Sequence, residues 1–415
     1  MAKKKTDEIK EVLSNKPEAR DTIWISTGAT QADEVFGAGA GIGVESGQIV
    51  QIFSPSQAGK TFLIMEAFFS AIQQLGDKVQ YRYNSAEDGN SFDTMSMYNY
   101  SLEGHTARSK TVEEWFIDCK KFCDNLVPDE FGIYALDSID GLITDDMQKR
   151  IAKREVAFDK GEEFDEGSFG MAKSKLLSTE IMPKLREVCV AKNCVIIIIH
   201  QMRQNTKKIN GMGPSHVISG SGEAVSFYAD TRVQLSSVYD ITVRGRDIGY
   251  IMKVEAKKSR GPRGYRKAYI NIFYQTGIDN VGTNIDYLFD FKTDTGAISS
   301  VASAVWKGVP DTNENIKQFM LDNNLMDDFK MEFKPTSPKK VYIDWIISNS
   351  DRKDLYDATF GVPQSRQELI EYVEAHNLEQ ELIVRCKQKW EEEEAASVAI
   401  LSKRKPRFQV LTGGK

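Results

Sequence analysis

Cysteine is scarce in this chain, with 5 residues in 415. Disulfide-stabilised domains and zinc modules need cysteines in several closely spaced pairs. Cys119 and Cys123 form one such pair, but no second pair of ligands accompanies them. The sequence therefore predicts reduced thiols that act as packing residues.

Long apolar runs are also absent. The longest unbroken one covers residues 194–199, whereas a membrane-spanning helix needs about 20 apolar residues. The Met-Ala-Lys-Lys-Lys start is not followed by the apolar stretch of a signal peptide. We therefore expect a globular protein without membrane contact, located in the cytoplasm, or in the host cytoplasm if the chain is viral.

Positive charge is not in excess, because the formal net charge is -6. Proteins that bind nucleic acid neutralise phosphates with lysine and arginine, so an acidic balance does not point to one. It does not exclude one either, since a ring or filament can confine its basic groups to an inner loop. The function has to be sought in the motifs.

The chain contains a strand, a loop and a helix that together predict a phosphate-binding site. An apolar strand runs into a loop of small residues ending in Gly-Lys-Thr, and a largely apolar helix starts at the lysine. Backbone N–H groups in such a loop surround phosphates, the lysine reaches the β- and γ-phosphates, and the threonine can hold Mg²⁺. The predicted ATP-binding residues are Ser54, Pro55, Ser56, Gln57, Ala58, Gly59, Lys60, Thr61 and Phe62.

One position departs from the usual phosphate-loop pattern. Ser54 stands where the first glycine is expected, and a serine would be strained there if the position needed a positive φ. The alternative interpretation is a chance Gly-Lys-Thr in a surface loop. The flanking strand and helix argue against that alternative.

Carboxylates follow two further predicted strands. Glu87 comes after one of them and is placed to polarise an attacking water, with Asp88 as the alternative. Asp137 ends the other, a buried strand, and is the predicted Mg²⁺ ligand together with Thr61. Asp140 is the alternative ligand, although it lies beyond the strand end.

A third strand, residues 194–199, leads to His200 and Gln201 and then into a glycine-rich basic segment. We interpret His200 as a packed polar core residue. Lysines in a flexible loop neutralise phosphates, glycines allow close backbone approach, and apolar side chains can insert between bases, although an ordinary surface loop is the alternative. The predicted DNA-binding residues are Arg203, Lys207, Lys208, Ile209, Gly211, Met212, Gly220 and Gly222.

Taken in order, these features resemble the RecA recombinase core. The matching motifs are Ile-Ser-Thr-Gly at 25–28, the phosphate loop, Ala-Glu at 86–87, Asp-Ser at 137–138, and Phe-Tyr-Ala at 227–229. Lys-Ser-Arg at 258–260 resembles the phage UvsX branch of that family. The resemblance covers about residues 23–295, and about a third of the chain lies outside it.

The resemblance implies an α/β fold of the RecA-type P-loop ATPase, with a mostly parallel central sheet. It implies Glu87, Lys60 and Gln201 as catalytic residues, with Gln201 sensing the γ-phosphate and passing that state to the DNA-binding loop. It also implies that Lys257 or Lys258 reaches the ATP of a neighbouring subunit. The implied cofactors are ATP and Mg²⁺.

Three regions are expected along the chain. Residues 1–22 are an N-terminal arm for oligomerisation, residues 23–295 are the ATPase core with its DNA-binding loops, and residues 296–415 are an α-rich C-terminal domain. Within the core, residues 145–167 resemble an enlarged first DNA-facing loop. A long helix over residues 171–193 should follow it and should be kinked by Pro183.

The function implied by the resemblance is an ATP-dependent DNA recombinase, a DNA-dependent ATPase. Its partners would be single- and double-stranded DNA, further copies of itself in a helical filament, and single-strand-binding and loader proteins. Two alternatives share the ATP core: a hexameric replicative helicase motor, and a non-hydrolysing accessory paralogue. The short N-terminal arm argues against the helicase, while Ser54 and the acidic first loop favour the paralogue.

Overall fold

The computed structural model describes residues 22–86, 93–160, 172–205, 215–217, 220–243, 245–261, 264, 266–288 and 366–399. Its strands are β1 (Trp24–Ile25), β2 (Val44–Glu45), β3 (Ile49–Ser54), β4 (Val79–Ser85), β5 (Thr106–Ala107), β6 (Phe131–Asp137), β7 (Cys194–Gln201), β8 (Arg203–Asn205), β9 (Ser215–Val217), β10 (Thr231–Val243), β11 (Arg246–Lys258), β12 (Lys267–Phe273) and β13 (Gly277–Asp279). Its helices are α1 (Thr30–Gly37), α2 (Lys60–Leu75), α3 (Thr94–Tyr98), α4 (Val112–Asp124), α5 (Asp145–Lys160), α6 (Ala172–Leu176), α7 (Met182–Ala191), α8 (Gly220–Tyr228), α9 (Asn280–Leu288), α10 (Arg366–Ala375) and α11 (Glu379–Ala399). A π-helical turn, Leu177–Ile181, joins α6 to α7, and 3-10 turns occupy Gly76–Lys78 and Ile139–Gly141.

Nine of the described strands form one sheet, in the order β13-β12-β11-β10-β3-β7-β6-β4-β5. Neighbouring strands are parallel from β10 to β5 and antiparallel from β10 to β13. Helices cover the parallel part on both faces, as parallel sheets require. The predicted α/β class with a mostly parallel sheet is confirmed.

The central strands read as unbroken apolar runs because they contribute to two cores at once. In β6, Ile133 and Ala135 pack into the core beneath α1 and α2, while Tyr134 and Leu136 pack into the core beneath α4 and α7. Successive side chains of a strand point to opposite faces, so both faces of β6 are buried. The same alternation explains the isoleucines of β7.

Two segments before β7 differ from their sequence-based predictions. The segment at 145–167 was expected to be a loop, but it begins with helix α5, in which Ala157 is the buried residue. Good helix formers and two acidic residues at the first turn stabilise α5 without an apolar stripe. The helix expected over residues 171–193 is interrupted by the π-helical turn, and Pro183 lies in the first turn of α7, where its missing N–H costs little.

The C-terminal helices α10 and α11 pack against α9 and α1. Arg366 donates from Nε to Asp286 Oδ1 at 2.5 Å and from Nη2 to Asp286 Oδ2 at 2.9 Å, and both of these hydrogen bonds are buried. The indole N–H of Trp390 donates to Gln31 Oε1 at 2.9 Å. The two helices are therefore joined to the core by hydrogen bonds as well as by packing.

No helix in the described ranges is long and apolar enough to cross a membrane.

Glu66 on α2 gives the fold a pH-dependent element. Its side chain is 8 % exposed, and its Oε1 accepts a hydrogen bond from the Ile278 backbone N–H at 3.2 Å. Burial raises the pKa of Glu66 from 4.5 to about 7. Because the folded state holds this proton more tightly than the unfolded chain, Glu66 favours folding at low pH, and that contribution is lost as the pH rises from 4.5 to about 7.

We predict that Glu66→Gln stabilises the protein at pH 8 by up to about 3 kcal/mol and has a much smaller effect at pH 5. Glutamine retains the acceptor for the Ile278 N–H but cannot ionise. Urea unfolding of both proteins at the two pH values measures the difference. Glu103→Gln, at the exposed surface, is the control, and a stability gain for Glu66→Gln that is equal at both pH values would contradict the assignment.

Candidate functional site

The predicted phosphate loop connects β3 to α2. Ser54 is the last residue of β3, and Lys60 is the first of α2. Within the loop the left-handed backbone positions are Gln57, with φ 61°, and Gly59, with φ 88°. Ser54 is an ordinary strand residue, so replacing the usual glycine by serine at this position does not strain the backbone.

Lys60 lies against the beginning of its own loop. Its Nζ donates to Ser54 Oγ at 2.8 Å and to the carbonyl oxygen of Pro55 at 2.9 Å, and the residue is 8 % exposed. The serine at the unusual position therefore provides a hydroxyl acceptor for the lysine. A cation and the N-terminus of α2 thus meet at the loop, which favours the binding of an anion.

The two predicted metal ligands lie together. The Thr61 hydroxyl donates to Asp137 Oδ2 at 3.0 Å, and Asp137 is 8 % exposed. A hydroxyl and a carboxylate are the hard oxygen ligands that Mg²⁺ prefers, so both residues fit that ion. Tyr83, which the sequence reading did not select, donates its hydroxyl to the same Oδ2 at 2.7 Å.

Asp140, the alternative ligand, is engaged beneath the end of β7. Its Oδ2 accepts the Gln201 backbone N–H at 2.8 Å. The same oxygen lies 3.6 Å from Nδ1 of His200, which is fully buried. Burial lowers the pKa of His200, so its imidazole is neutral. These contacts favour Asp137 as the ligand and agree with His200 as a packed polar residue.

Backbone pairing between β7 and β3 places Gln201 beside the start of the phosphate loop. It pairs in register with Ser54, and the next N–H, that of Met202, donates to the Ser54 carbonyl at 2.8 Å. The chain then enters β8, which pairs with β9 in antiparallel register. Gly220 and Gly222, predicted in a flexible loop, lie instead in the first turns of α8.

Several predicted site residues lie outside the described residues, and their roles remain predictions. They are Glu87, Lys207, Lys208, Ile209, Gly211 and Met212, together with the alternative Asp88. Ala86, the last described residue before this gap, donates its N–H to the Asp137 carbonyl at 2.8 Å.

Lys257 and Lys258 point to opposite faces of β11. Lys257 pairs with Glu255 within the same strand. Lys258 donates to the Ser226 and Phe227 carbonyls, at 3.2 and 3.0 Å, at the end of α8. Its pKa is lowered by burial and by nearby Arg260, Arg232 and Arg186.

Lys258, Arg260, Arg232 and Arg186 form a basic cluster, and Asp230 lies within it. It is fully buried, accepts the Ile49 N–H at 2.9 Å, and pairs with Arg186 and with Arg260, the latter at 2.7 Å. One carboxylate thus faces several cations. The sequence analysis included Arg260 only within the Lys-Ser-Arg motif and assigned it no role. Its position two residues after Lys258 is the feature that could have indicated a shared cluster.

The basic cluster lies far from the phosphate loop of its own chain. A Cβ built on Gly59 would meet Met252 Sδ and the Tyr250 hydroxyl, each at 2.8 Å, so the first half of β11 lies beneath the loop. Lys258 ends the same strand, about 20 Å beyond Met252 at the rise of an extended chain. The phosphate loop therefore lies over the middle of β11, and the basic cluster lies at the end of that strand.

No other metal site is evident in the described ranges. The cysteines Cys119, Cys123, Cys189 and Cys194 share one core as free thiols, and Cys386 is also buried and free. No group of three or more His, Cys, Asp or Glu side chains among the described residues is arranged to hold a metal ion.

We predict that Gly59→Ala weakens ATP binding by about tenfold or more. A left-handed backbone costs a non-glycine residue about 1–2 kcal/mol, and the added methyl group would also displace Met252 or Tyr250. Titration of a fluorescent ATP analogue measures the loss. Gly264→Ala is the matched control, because a Cβ there meets nothing within 4 Å. Unchanged affinity in Gly59→Ala would show that this loop does not hold the nucleotide.

Comparison with known proteins identifies relatives over most of the chain. The family model for the RecA N-terminal domain matches residues 131–279. Protein RecA of Rickettsia bellii (strain OSU 85-389) is 25% identical over 307 residues, covering 73% of this chain and 81% of the relative. Protein RecA of Clostridioides difficile (strain 630) is 26% identical over 316 residues, covering 72% and 78%. Protein RecA of Leptospira meyeri is 25% identical over 301 residues, covering 72% and 70%.

Proposed function

We propose that this chain, which is similar to RecA proteins over most of its length, is an ATP-dependent DNA recombinase of the RecA family. It would form filaments on single-stranded DNA and catalyse homologous pairing and strand exchange with a duplex. The main support is the convergence of the phosphate loop, the Thr61–Asp137 pair and Gln201 at one edge of the sheet. Ligands bind at the carboxyl ends of the strands in open α/β sheets.

The residues at that edge have complementary roles in ATP hydrolysis. The loop N–H groups hold the phosphates, and Lys60 exchanges its contacts with Ser54 and Pro55 for the β- and γ-phosphates. Thr61 and Asp137 would hold Mg²⁺, and the ion would supply positive charge against the phosphates. Glu87, which follows the backbone anchored at Ala86, orients and activates the attacking water.

Gln201 is proposed to couple the nucleotide to DNA. Its backbone is fixed to Asp140 and lies in register with Ser54, while β8 begins two residues later. A side chain drawn toward the γ-phosphate therefore acts directly on the start of the predicted DNA-binding segment. That segment supplies cations for the phosphates of a DNA strand and glycines for close backbone approach.

A neighbouring copy of the chain is proposed to complete the ATP site. Lys258, with Arg260 beside it, lies too far from its own loop to serve it, so a contact with ATP has to be made in another subunit. Lys257 is less suited because Glu255 already neutralises it. A head-to-tail interface of this kind repeats from copy to copy and generates a helical filament when it does not close into a ring.

Electron microscopy of the purified protein with single-stranded DNA and a non-hydrolysable ATP analogue tests the proposed assembly. Continuous helical filaments are expected. Closed rings would favour the helicase alternative, and isolated particles would favour the accessory paralogue.

We predict that Lys60→Ala reduces DNA-stimulated hydrolysis by at least about a hundredfold, the typical cost of losing one transition-state donor. Unchanged turnover in this variant would contradict the site assignment.

We predict that Lys258→Ala reduces DNA-dependent ATP hydrolysis by about ten- to a hundredfold, because hydrogen bonds to charged groups contribute about 1.5–3 kcal/mol. ATP binding by the unassembled protein should be unaffected. Lys257→Ala is the comparison and should have the smaller effect, since that lysine faces the opposite side of β11. Steady-state hydrolysis with and without DNA measures both variants, and a larger loss in Lys257→Ala would reverse the assignment.

A further inference from the structure

Asp137 is held by two hydroxyl groups from two different elements. Thr61 at the start of α2 and Tyr83 on β4 both donate to the same oxygen, Oδ2, at 3.0 and 2.7 Å. A carboxylate oxygen can accept hydrogen bonds along two lone-pair directions, and Oδ2 accepts two here. The shorter of these two bonds comes from a residue outside the phosphate loop.

We propose that Tyr83 is a positioning residue for the metal site, acting through Asp137. This inference rests on the proposed ATP-binding function. By fixing Oδ2, the tyrosine hydroxyl sets the rotation of the carboxylate about its Cβ–Cγ bond. The orientation in which Asp137 and Thr61 can hold Mg²⁺ is then present before the metal arrives, so binding does not have to order the carboxylate.

The surroundings of Tyr83 keep its hydroxyl in place. The residue is 4 % exposed and belongs to the core beneath α1 and α2. On one side its strand pairs with β6, where Tyr83 is level with Ala135. On the other side, the Tyr83 N–H donates to the His105 carbonyl at 2.9 Å. A ring packed in this way has little freedom to move away from Asp137.

The strand pairing also explains why Tyr83 reaches Asp137. Ser85 is level with Asp137 in the β4–β6 pair. Tyr83 precedes Ser85 by two residues, so its side chain points to the same face of the sheet as those of Ser85 and Asp137. A phenol is long enough to extend along the strand to the carboxylate, whereas an aliphatic residue at this position would fill the core without donating a proton. The hydroxyl is therefore the part of Tyr83 that serves the site.

The test is Tyr83→Phe, which keeps the ring and removes the donor. Binding of a fluorescent ATP analogue is measured as free Mg²⁺ is varied, and again in EDTA. We expect the Mg²⁺ concentration for half-maximal binding to rise about tenfold, the lower end of the usual effect of losing a partner of a metal ligand. Binding in EDTA should stay unchanged, because the phosphate loop itself is intact.

Tyr81→Phe is the matched control. Tyr81 precedes Tyr83 by two residues on the same face of β4, but its hydroxyl donates to the Ser101 carbonyl at 3.2 Å and not to the metal-ligand pair. Its Mg²⁺ requirement should equal that of the wild type. A general loosening of the strand would shift both variants, whereas a positioning role shifts Tyr83→Phe alone.

The outcomes separate this inference from the proposed function. If wild-type protein shows no Mg²⁺-dependent nucleotide binding, the ATP-binding function itself is contradicted. If the wild type does show it and Tyr83→Phe has the same or a lower Mg²⁺ requirement, the positioning role is overturned. Equal weakening of binding in Mg²⁺ and in EDTA would also overturn it, since that result indicates a damaged loop and not a disoriented carboxylate.

Discussion

The hydrogen bond from Thr61 to Asp137 is the contact on which the site depends. Thr61 follows β3 and Asp137 ends β6, and β7 lies between these two strands in the sheet. The bond therefore spans a whole strand and fixes the start of α2 over the carboxyl edge. It can form only because β3, β7 and β6 run in parallel and bring their carboxyl ends to the same edge.

The two halves of the sheet serve different purposes. The parallel half carries the predicted phosphate loop and the Thr61–Asp137 pair, while β11 of the antiparallel half runs from beneath the loop to the basic cluster. Met252 and Tyr250 on β11 support Gly59 from below, and Lys258 ends the same strand at the far side. A rigid strand thus separates the loop from the basic cluster by a fixed distance. Within the proposed function, this separation makes assembly a requirement for hydrolysis.

Local sequence patterns predicted the parts of the site that depend on chain order. The strand before Ser54, the lysine at the start of α2 and the aspartate ending β6 each follow from apolar runs and turn residues nearby. Tyr83 could not be predicted in this way, because its role comes from the register between β4 and β6. For a similar reason, α5 was missed: its stability comes from helix propensity, while the prediction relied on apolar periodicity.

Within the proposed function, the end of β7 is where the nucleotide site and the predicted DNA-binding segment meet. Asp140 fixes the Gln201 N–H, and the Ser54 carbonyl fixes the Met202 N–H, so two consecutive peptide groups are tied to the site. His200, the preceding residue, is fully buried, and its Nδ1 lies 3.6 Å from the same Asp140 carboxylate. The backbone at the end of β7 is therefore bonded directly to the start of the phosphate loop, and β8 is the next element along the chain.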